Sequence, residues 1–386
     1  MNTDTFASQP AVTPPLGRLR GFHPGWYGAV MGTAIVGIVA YQNPGQVAGL
    51  ADAMQAFGVL MVGLAALLAI GLGIPYVARW LRYPDAARAD LSNPVMGALY
   101  ATFPAGLLVL AVGIATVGPS ILSPDATFAL VAVLAAVGIV LAFAMSVVFA
   151  ALLFTSHGVE PQAVNGGWFI PPVVMIIVPL VLAPLAPRFA AADFGLLLAI
   201  GYGAWGMGLL LFVLVASLLY DRLVFHPLPA APLAPSLWIG LGPIGVGSLA
   251  VLRLAQVGAP VWGDATSAVK AVSLIGASAL WGVGAWWLAA AAVLLGAYLR
   301  RGRLPYGIGW WAFTFPLGAY AASTLALARA WHAGALEAFA AVLFLCLVAF
   351  WVVVAAGTLR AVRSGGAWGP VTRPAEQQMT HAAANS

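Results

Sequence analysis

Ten long apolar runs, separated by short polar breaks, constrain this chain more than any other feature. Hydrophobic residues make up 62% of the 386 positions and charged residues only 7%, whereas a soluble globular domain carries roughly 25% charged residues. A membrane-spanning helix needs roughly 20 mostly apolar residues, and the runs meet this requirement. The predicted spans are residues 24–42, 52–76, 95–118, 126–154, 168–187, 192–219, 236–259, 267–299, 308–328 and 335–359. The pattern excludes a soluble domain and predicts an all-α integral membrane protein.

The basic residues between the runs predict how the chain crosses the bilayer. With the N-terminus in the cytoplasm, twelve arginines fall on the cytoplasmic side: Arg18, Arg20, Arg79, Arg82, Arg88, Arg222, Arg300, Arg301, Arg303, Arg360, Arg363 and Arg373. Arg188, Lys270 and Arg329 fall outside. Because cytoplasmic loops carry an excess of Lys and Arg, we expect an even number of spans and two cytoplasmic termini. The predicted parts are an N-terminal tail (1–22), a ten-helix transmembrane domain (23–360) and a C-terminal tail (361–386).

Proline marks every odd-numbered span, near its start or in its apolar body. Pro24, Pro104, Pro171 (with Pro172), Pro243 and Pro316 recur 67 to 80 residues apart, and the even spans mostly lack such prolines. A period of about 70 residues predicts a helical hairpin used five times. Proline breaks a helix, and in a membrane the freed backbone groups must be covered by protein or by a water-filled cavity. The pattern predicts kinked odd helices around a central pore, with the even helices facing lipid. The alternative is the general enrichment of proline in membrane helices.

Residues arranged for catalysis or for metal binding are not recognisable in the sequence. Cys346 is the single cysteine, and there is no HExxH motif or nucleophile with a nearby base. We therefore predict no enzyme activity, no cofactor and no metal. The net charge of +5 is spread over arginines that stand singly or in small groups, so the predicted partner is the lipid bilayer and not nucleic acid. Fourteen tryptophans, mostly near span ends, are typical of an aromatic belt.

Three segments carry a resemblance to a known family. His23–Thr33 (HPGWYGAVMGT), Gly166–Val173 (GGWFIPPV) and Trp310–Gly318 (WWAFTFPLG) resemble the first, fifth and ninth spans of the tellurite-resistance/dicarboxylate-transporter family. That family includes bacterial tellurite-resistance proteins, malate permeases, sulfite-efflux proteins and plant slow-type anion channels. The resemblance covers about residues 22–360, and the third span, around Thr102–Gly106, matches less well.

The resemblance implies a fold and a site. The fold is five helical hairpins in a quasi-fivefold arrangement, commonly assembled as a homotrimer with one pore per subunit. The implied cargo is a small anion of the chloride, nitrate, malate or sulfite type, and the implied location is the bacterial inner (plasma) membrane. A phenylalanine of the ninth span closes the pore, and the matching position is Phe315. The alternative for Phe315 is an aromatic side chain packed between helices.

The sequence leaves open whether the protein is an anion channel, a carrier or a protein without a transport role. Arg253, in the seventh span, is a charge at membrane depth. It could attract anions into a pore vestibule, or it could snorkel to the surface. The near absence of acids in the spans favours an anion path. The candidates are channel-like or proton-coupled anion movement, a secondary carrier for malate-like C4-dicarboxylates or sulfite efflux, and a structural or sensing role.

Overall fold

The regular secondary structure of this chain is helical, which confirms the all-α prediction. The computed structural model describes residues 17–156, 158–190, 193–302 and 304–368, and no strand occurs in these ranges. The helices are α1 (Gly28–Tyr41), α2 (Ala51–Arg82), α3 (Pro84–Leu91), α4 (Thr102–Val117), α5 (Pro124–Thr155), α6 (Ile170–Leu185), α7 (Phe194–Phe225), α8 (Leu241–Val257), α9 (Ala259–Trp262), α10 (Thr266–Arg301), α11 (Phe315–Ala330) and α12 (Gly334–Ser364). Residues 1–16 and 369–386 of the predicted tails, with Arg303 and Arg373, lie outside the described residues.

Eight helical stretches in the described residues are long and apolar enough to cross a membrane. They correspond to the second to eighth and the tenth predicted spans. The first and ninth predicted spans are helical too, but α1 has 14 residues and α11 has 16. At 1.5 Å per residue, α1 covers only about 21 Å of a hydrocarbon core about 30 Å thick. The count of ten spans therefore stays a prediction.

Buried and exposed helices alternate along the chain. In the apolar windows of the stretches that contain α4, α6 and α8, 67% to 83% of the residues are buried. The windows that contain α2, α5, α7, α10 and α12 are 11% to 28% buried. Nearly every residue of α1 and α11 is buried. We call α1, α4, α6, α8 and α11 the inner helices and α2, α5, α7, α10 and α12 the outer helices.

The inner helices contact one another in a closed cycle. In chain order, α1 packs on α4, α4 on α6, α6 on α8, α8 on α11, and α11 returns to α1. Each outer helix packs on the inner helix before it and on another inner helix of the cycle: α2 on α1 and α4, α5 on α4 and α6, α7 on α6 and α8, α10 on α8 and α11, and α12 on α11 and α1. The exposed surfaces of the outer helices are apolar, as a lipid-facing surface requires.

Glycine lets four outer helices approach the inner helices closely. The glycines are Gly58, Gly138, Gly208 and Gly284. A Cβ atom on any of them would lie within 3.0 Å of an atom of an inner helix, closer than real Cβ contacts. Membrane helices associate through such small residues because lipid supplies no hydrophobic force between them. These glycines lie 70 to 80 residues apart, close to the interval of the prolines, and are a second indication of the repeat.

The crossing of α7 over α6 gives a stability prediction. A Cβ on Gly208 would lie 2.7 Å from the carbonyl oxygen of Pro172 and 2.5 Å from Cγ1 of Ile176. Because the backbone of α6 cannot rotate away, we expect Gly208→Ala to lower the free energy of unfolding by about 1–3 kcal/mol. Denaturation of the detergent-solubilised protein measures this. Gly206→Ala on the same helix is the control, since a Cβ there meets nothing within 4 Å. An equal loss in both variants would contradict the prediction.

Two tryptophans in the middle of outer helices connect the two sets of helices and so do not belong to an aromatic belt at the span ends. Trp281, in the middle of α10, donates its indole N–H to Thr324 Oγ1 of α11 at 2.9 Å. Trp351, in the middle of α12, donates to Thr33 Oγ1 of α1 at 3.0 Å. A buried indole N–H needs a partner, and here the partners are inner-helix hydroxyls. These side chains stabilise the bundle from within.

Candidate functional site

Every inner helix is preceded by a 3-10 segment, and the predicted prolines lie at this change of helix type. The segments are Pro24–Tyr27, Gly97–Ala101, Gly166–Phe169, Ala231–Trp238 and Ile308–Phe313. Pro24 begins the first of them, whereas Pro104, Pro171, Pro243 and Pro316 are the second or third residues of α4, α6, α8 and α11. In the first turn of a helix the missing N–H costs nothing. The break expected inside the helix body is thus a break just before the α-helix, and the lining of a pore by these prolines stays a prediction.

Phe315 is the first residue of α11 and is 6% exposed. The position that a Cβ on Gly242 would take lies 3.7 Å from Cε1 of Phe315. The same position lies 3.9 Å from Cβ of Pro316 and from Cγ1 of Val173. Gly242 belongs to α8 and Val173 to α6, which is not a neighbour of α11 in the cycle. A point shared by α6, α8 and α11 lies on the inner side of the ring, so Phe315 reaches inward where these three helices begin.

Basic residues lie toward the ends of three inner helices. Arg188, just after α6, pairs with Asp125 at 2.6 Å, and Arg329, in the last turn of α11, pairs with Glu337 at 3.4 Å. Arg253, near the end of α8, is exposed and donates to Gln256 Oε1 at 3.2 Å. No carboxylate of the described residues is within ion-pair distance of Arg253. The position fits both alternatives for Arg253, and its attraction of anions stays a prediction.

A buried arginine near the beginning of the bundle was missed by the sequence analysis, which treated it as a marker of topology. The Arg79 side chain is 6% exposed and its NH2 lies 2.5 Å from Asp90 Oδ2. Its Nε donates to the carbonyl oxygen of Arg20, and its NH1 donates to Tyr100 Oη, both at 3.0 Å. One guanidinium thus connects the segment before α1, helix α3 and the 3-10 segment before α4. Asp90 follows Arg79 by eleven residues, and this spacing does not by itself indicate an ion pair.

A second polar cluster joins the turn after the C-terminal end of α1 to the N-terminal end of α12. Glu337 of α12 is 9% exposed, and its Oε1 accepts a hydrogen bond from the backbone N–H of Gly45 at 3.1 Å. Arg329 donates to the carbonyl oxygen of Gln42 at 2.6 Å as well as to Glu337. The turn after α1 is therefore held by side chains of α11 and α12. No group of three or more metal-ligating side chains occurs in the described part of the chain.

Comparison with known proteins assigns the chain to a family. The apolar helices and their packing define an integral membrane protein. The profile of the SLAC1 family, described as voltage-dependent anion channels, matches residues 21–359. An uncharacterized transporter of Methanocaldococcus jannaschii is 31% identical over 348 residues, which cover 90% of this chain and 95% of the relative. A sulfite efflux pump of Trichophyton rubrum is 25% identical over 356 residues, which cover 88% of this chain and 91% of the pump.

The chain belongs to the SLAC1 family. This confirms the resemblance drawn from the three proline-containing segments, because the matched range includes all of them. The family consists of channels and transporters and not of enzymes. Its description as anion channels and the sulfite efflux pump among the relatives are evidence for anion transport.

Proposed function

We propose that this protein moves small anions across the membrane along a path enclosed by the five inner helices, and that Phe315 closes this path. The observation that carries the proposal is the position of Phe315 beside Gly242 of α8, at a point on the inner side of the ring that Val173 of α6 also approaches. An apolar ring in a narrow passage excludes hydrated ions by steric block and by dewetting. Ten spans in five hairpins with quasi-fivefold symmetry, and prolines that line the path, belong to the same proposal.

The charges of the inner helices support an anion as the cargo. The sequences of α1, α4, α6, α8 and α11 contain no Asp or Glu, and their only charged residues are Arg253 and Arg329. Paths for cations normally carry rings or relays of carboxylates. Arg329 is neutralised by Glu337, whereas Arg253 is exposed and pairs with no carboxylate of the described ranges. Arg253 raises the local concentration of anions at that end of the path.

The remaining features of the proposal follow from topology and family. Both termini lie in the cytoplasm, the protein resides in the bacterial inner (plasma) membrane, and a homotrimer carries one path per subunit. The cargo is a monovalent or divalent anion such as chloride, nitrate, malate or sulfite. The sulfite efflux pumps among the relatives favour a second candidate, a secondary carrier that exports sulfite. A proton-coupled carrier for C4-dicarboxylates such as malate is the other form of this candidate.

Ion substitution in liposomes tests the proposal. The purified protein is reconstituted, and fluxes of chloride, nitrate, malate and sulfite are measured against the flux of sodium, with and without a pH gradient. We expect anion flux without comparable sodium flux. Saturable flux that depends on the pH gradient would assign the protein to the carrier class. Sodium flux as large as the anion flux, or no flux of any anion, would contradict the proposal.

A further inference from the structure

The closest approach between α1 and the beginning of α11 occurs at Gly32 and Thr314. A Cβ on Gly32 would lie 2.1 Å from Oγ1 and 3.0 Å from Cβ of Thr314. It would also lie 2.9 Å from Cε3 of Trp311. These distances are shorter than real Cβ contacts, so only glycine permits this approach. Thr314 is fully buried, and its Oγ1 donates to the carbonyl oxygen of Trp311 at 2.7 Å, which fixes the direction of the hydroxyl.

Thr314 lies at the joint that directs Phe315. It stands between the 3-10 segment Ile308–Phe313 and α11, and the peptide bond joins it to Phe315. A displacement of Thr314 therefore moves the origin of the Phe315 side chain. The ring of Phe315 lies beside Gly242, where an added Cβ would be 3.7 Å from Cε1 of the ring. A displacement of Thr314 therefore changes how far the ring reaches toward α8.

The other side of α11 is held by the backbone of α8. A Cβ on Gly245 would lie 2.5 Å from the carbonyl carbon of Ala319 and 2.6 Å from the backbone nitrogen of Tyr320. Helix α11 is thus packed backbone to backbone against α8 and cannot slide to absorb pressure from α1. A packed interface of this kind transmits strain. Pressure at Thr314 is transmitted to the first residue of α11.

We propose that Gly32 and Thr314 are positioning residues of the gate: glycine on the first inner helix receives the Thr314 hydroxyl and thereby sets where the Phe315 ring closes the path. This inference rests on the proposed function, because it concerns the same Phe315. Gly32 and Thr314 act through Phe315 and need no contact with the anion.

Basal anion flux of the reconstituted full chain tests the inference. We expect Gly32→Ala to raise the flux about tenfold, the change that corresponds to ~1.4 kcal/mol in the balance between the closed and the open gate. Thr314→Val removes the hydrogen bond to the carbonyl oxygen of Trp311 and puts a methyl group, slightly larger than the hydroxyl, at the contact with Gly32. We expect it to raise the flux in the same direction. In Gly32→Ala/Thr314→Ala the 2.1 Å contact is gone, so the flux falls below that of Gly32→Ala.

Gly37→Ala is the matched control on the same helix. A Cβ on Gly37 would lie 2.7 Å from the carbonyl oxygen of Gly58, so this variant is also overpacked, but against the outer helix α2. We expect it to lose stability without a rise in flux. In a Phe315→Ala background, Gly32→Ala adds little to the flux, since the side chain that it displaces is absent.

The outcomes separate this inference from the proposed function. If Phe315→Ala raises the flux and neither Gly32→Ala nor Thr314→Val does, the inference is overturned and the gate stands. A rise in Gly37→Ala equal to that in Gly32→Ala overturns the inference as well, because general loosening then explains it. If Phe315→Ala leaves the flux unchanged, Phe315 is not the gate, and the inference about Gly32 and Thr314 fails as well because it rests on that assignment.

Discussion

Replacing Phe315 with alanine will raise anion flux through the reconstituted protein by about a hundredfold. A rate changes tenfold for each ~1.4 kcal/mol of barrier, and stripping water from a charge in an apolar constriction costs several kcal/mol. Alanine leaves the first turn of α11 intact and removes only the ring, which lies beside Gly242. Phe315→Leu, with a smaller apolar side chain, should give an intermediate flux. Planar-bilayer current with anion and cation substitution is the measurement.

Phe313 provides a matched control for this result. It lies two residues before Phe315 and is 3% exposed. Its ring stacks on Phe350 of the outer helix α12, with centroids 5.4 Å apart, and meets Trp238 edge to face at 5.5 Å. Phe313→Ala should therefore lower stability without raising the current. Equal currents in the two variants, or a silent Phe315→Ala, would mean that Phe315 does not close the path.

Asp90→Ala will destabilise the protein by about 2–3 kcal/mol. Loss of one partner of a buried ion pair leaves an uncompensated charge and costs roughly 3–5 kcal/mol. The figure is reduced because the Asp90 side chain is 33% exposed, so water replaces part of the interaction. Arg79 remains bonded to Tyr100 and to the backbone of Arg20, but its charge is unpaired. Thermal unfolding of the purified protein measures the loss.

The same short helix supplies the control for Asp90. Asp85 of α3 pairs with Arg88 at 3.6 Å, and both side chains are largely exposed, at 98% and 71%. Surface pairs of this kind contribute little, so Asp85→Ala should leave the unfolding temperature unchanged. If Asp85→Ala and Asp90→Ala unfold alike, the Arg79 cluster does not stabilise the fold as we describe.

The sequence alone determined the class of protein and its helical secondary structure, and it supplied Phe315 as the predicted gate. Apolar runs require a membrane because their residues cannot face water, and hydropathy is a local property of the chain. The recurrence of Pro104, Pro243 and Pro316 marked where inner helices begin, since proline is best tolerated in the first turn of a helix. Pro75 of α2 and Pro179 of α6 nevertheless lie inside a helix. Phe315 was named from its place before Pro316 and from the family resemblance.

Only the tertiary structure decided how these parts meet. Trp351 and Thr33 form a hydrogen bond although they are 318 positions apart in the chain. The residues around either one do not predict this contact. From the sequence, Arg79 is only one of the arginines that indicate topology. The structure shows that it is buried beside Asp90 and Tyr100. Gly32 reads as one of 44 glycines until the cycle of inner helices brings it against Thr314. Hydropathy and proline act within a few residues of themselves, whereas a contact between distant helices exists only after the ring has closed.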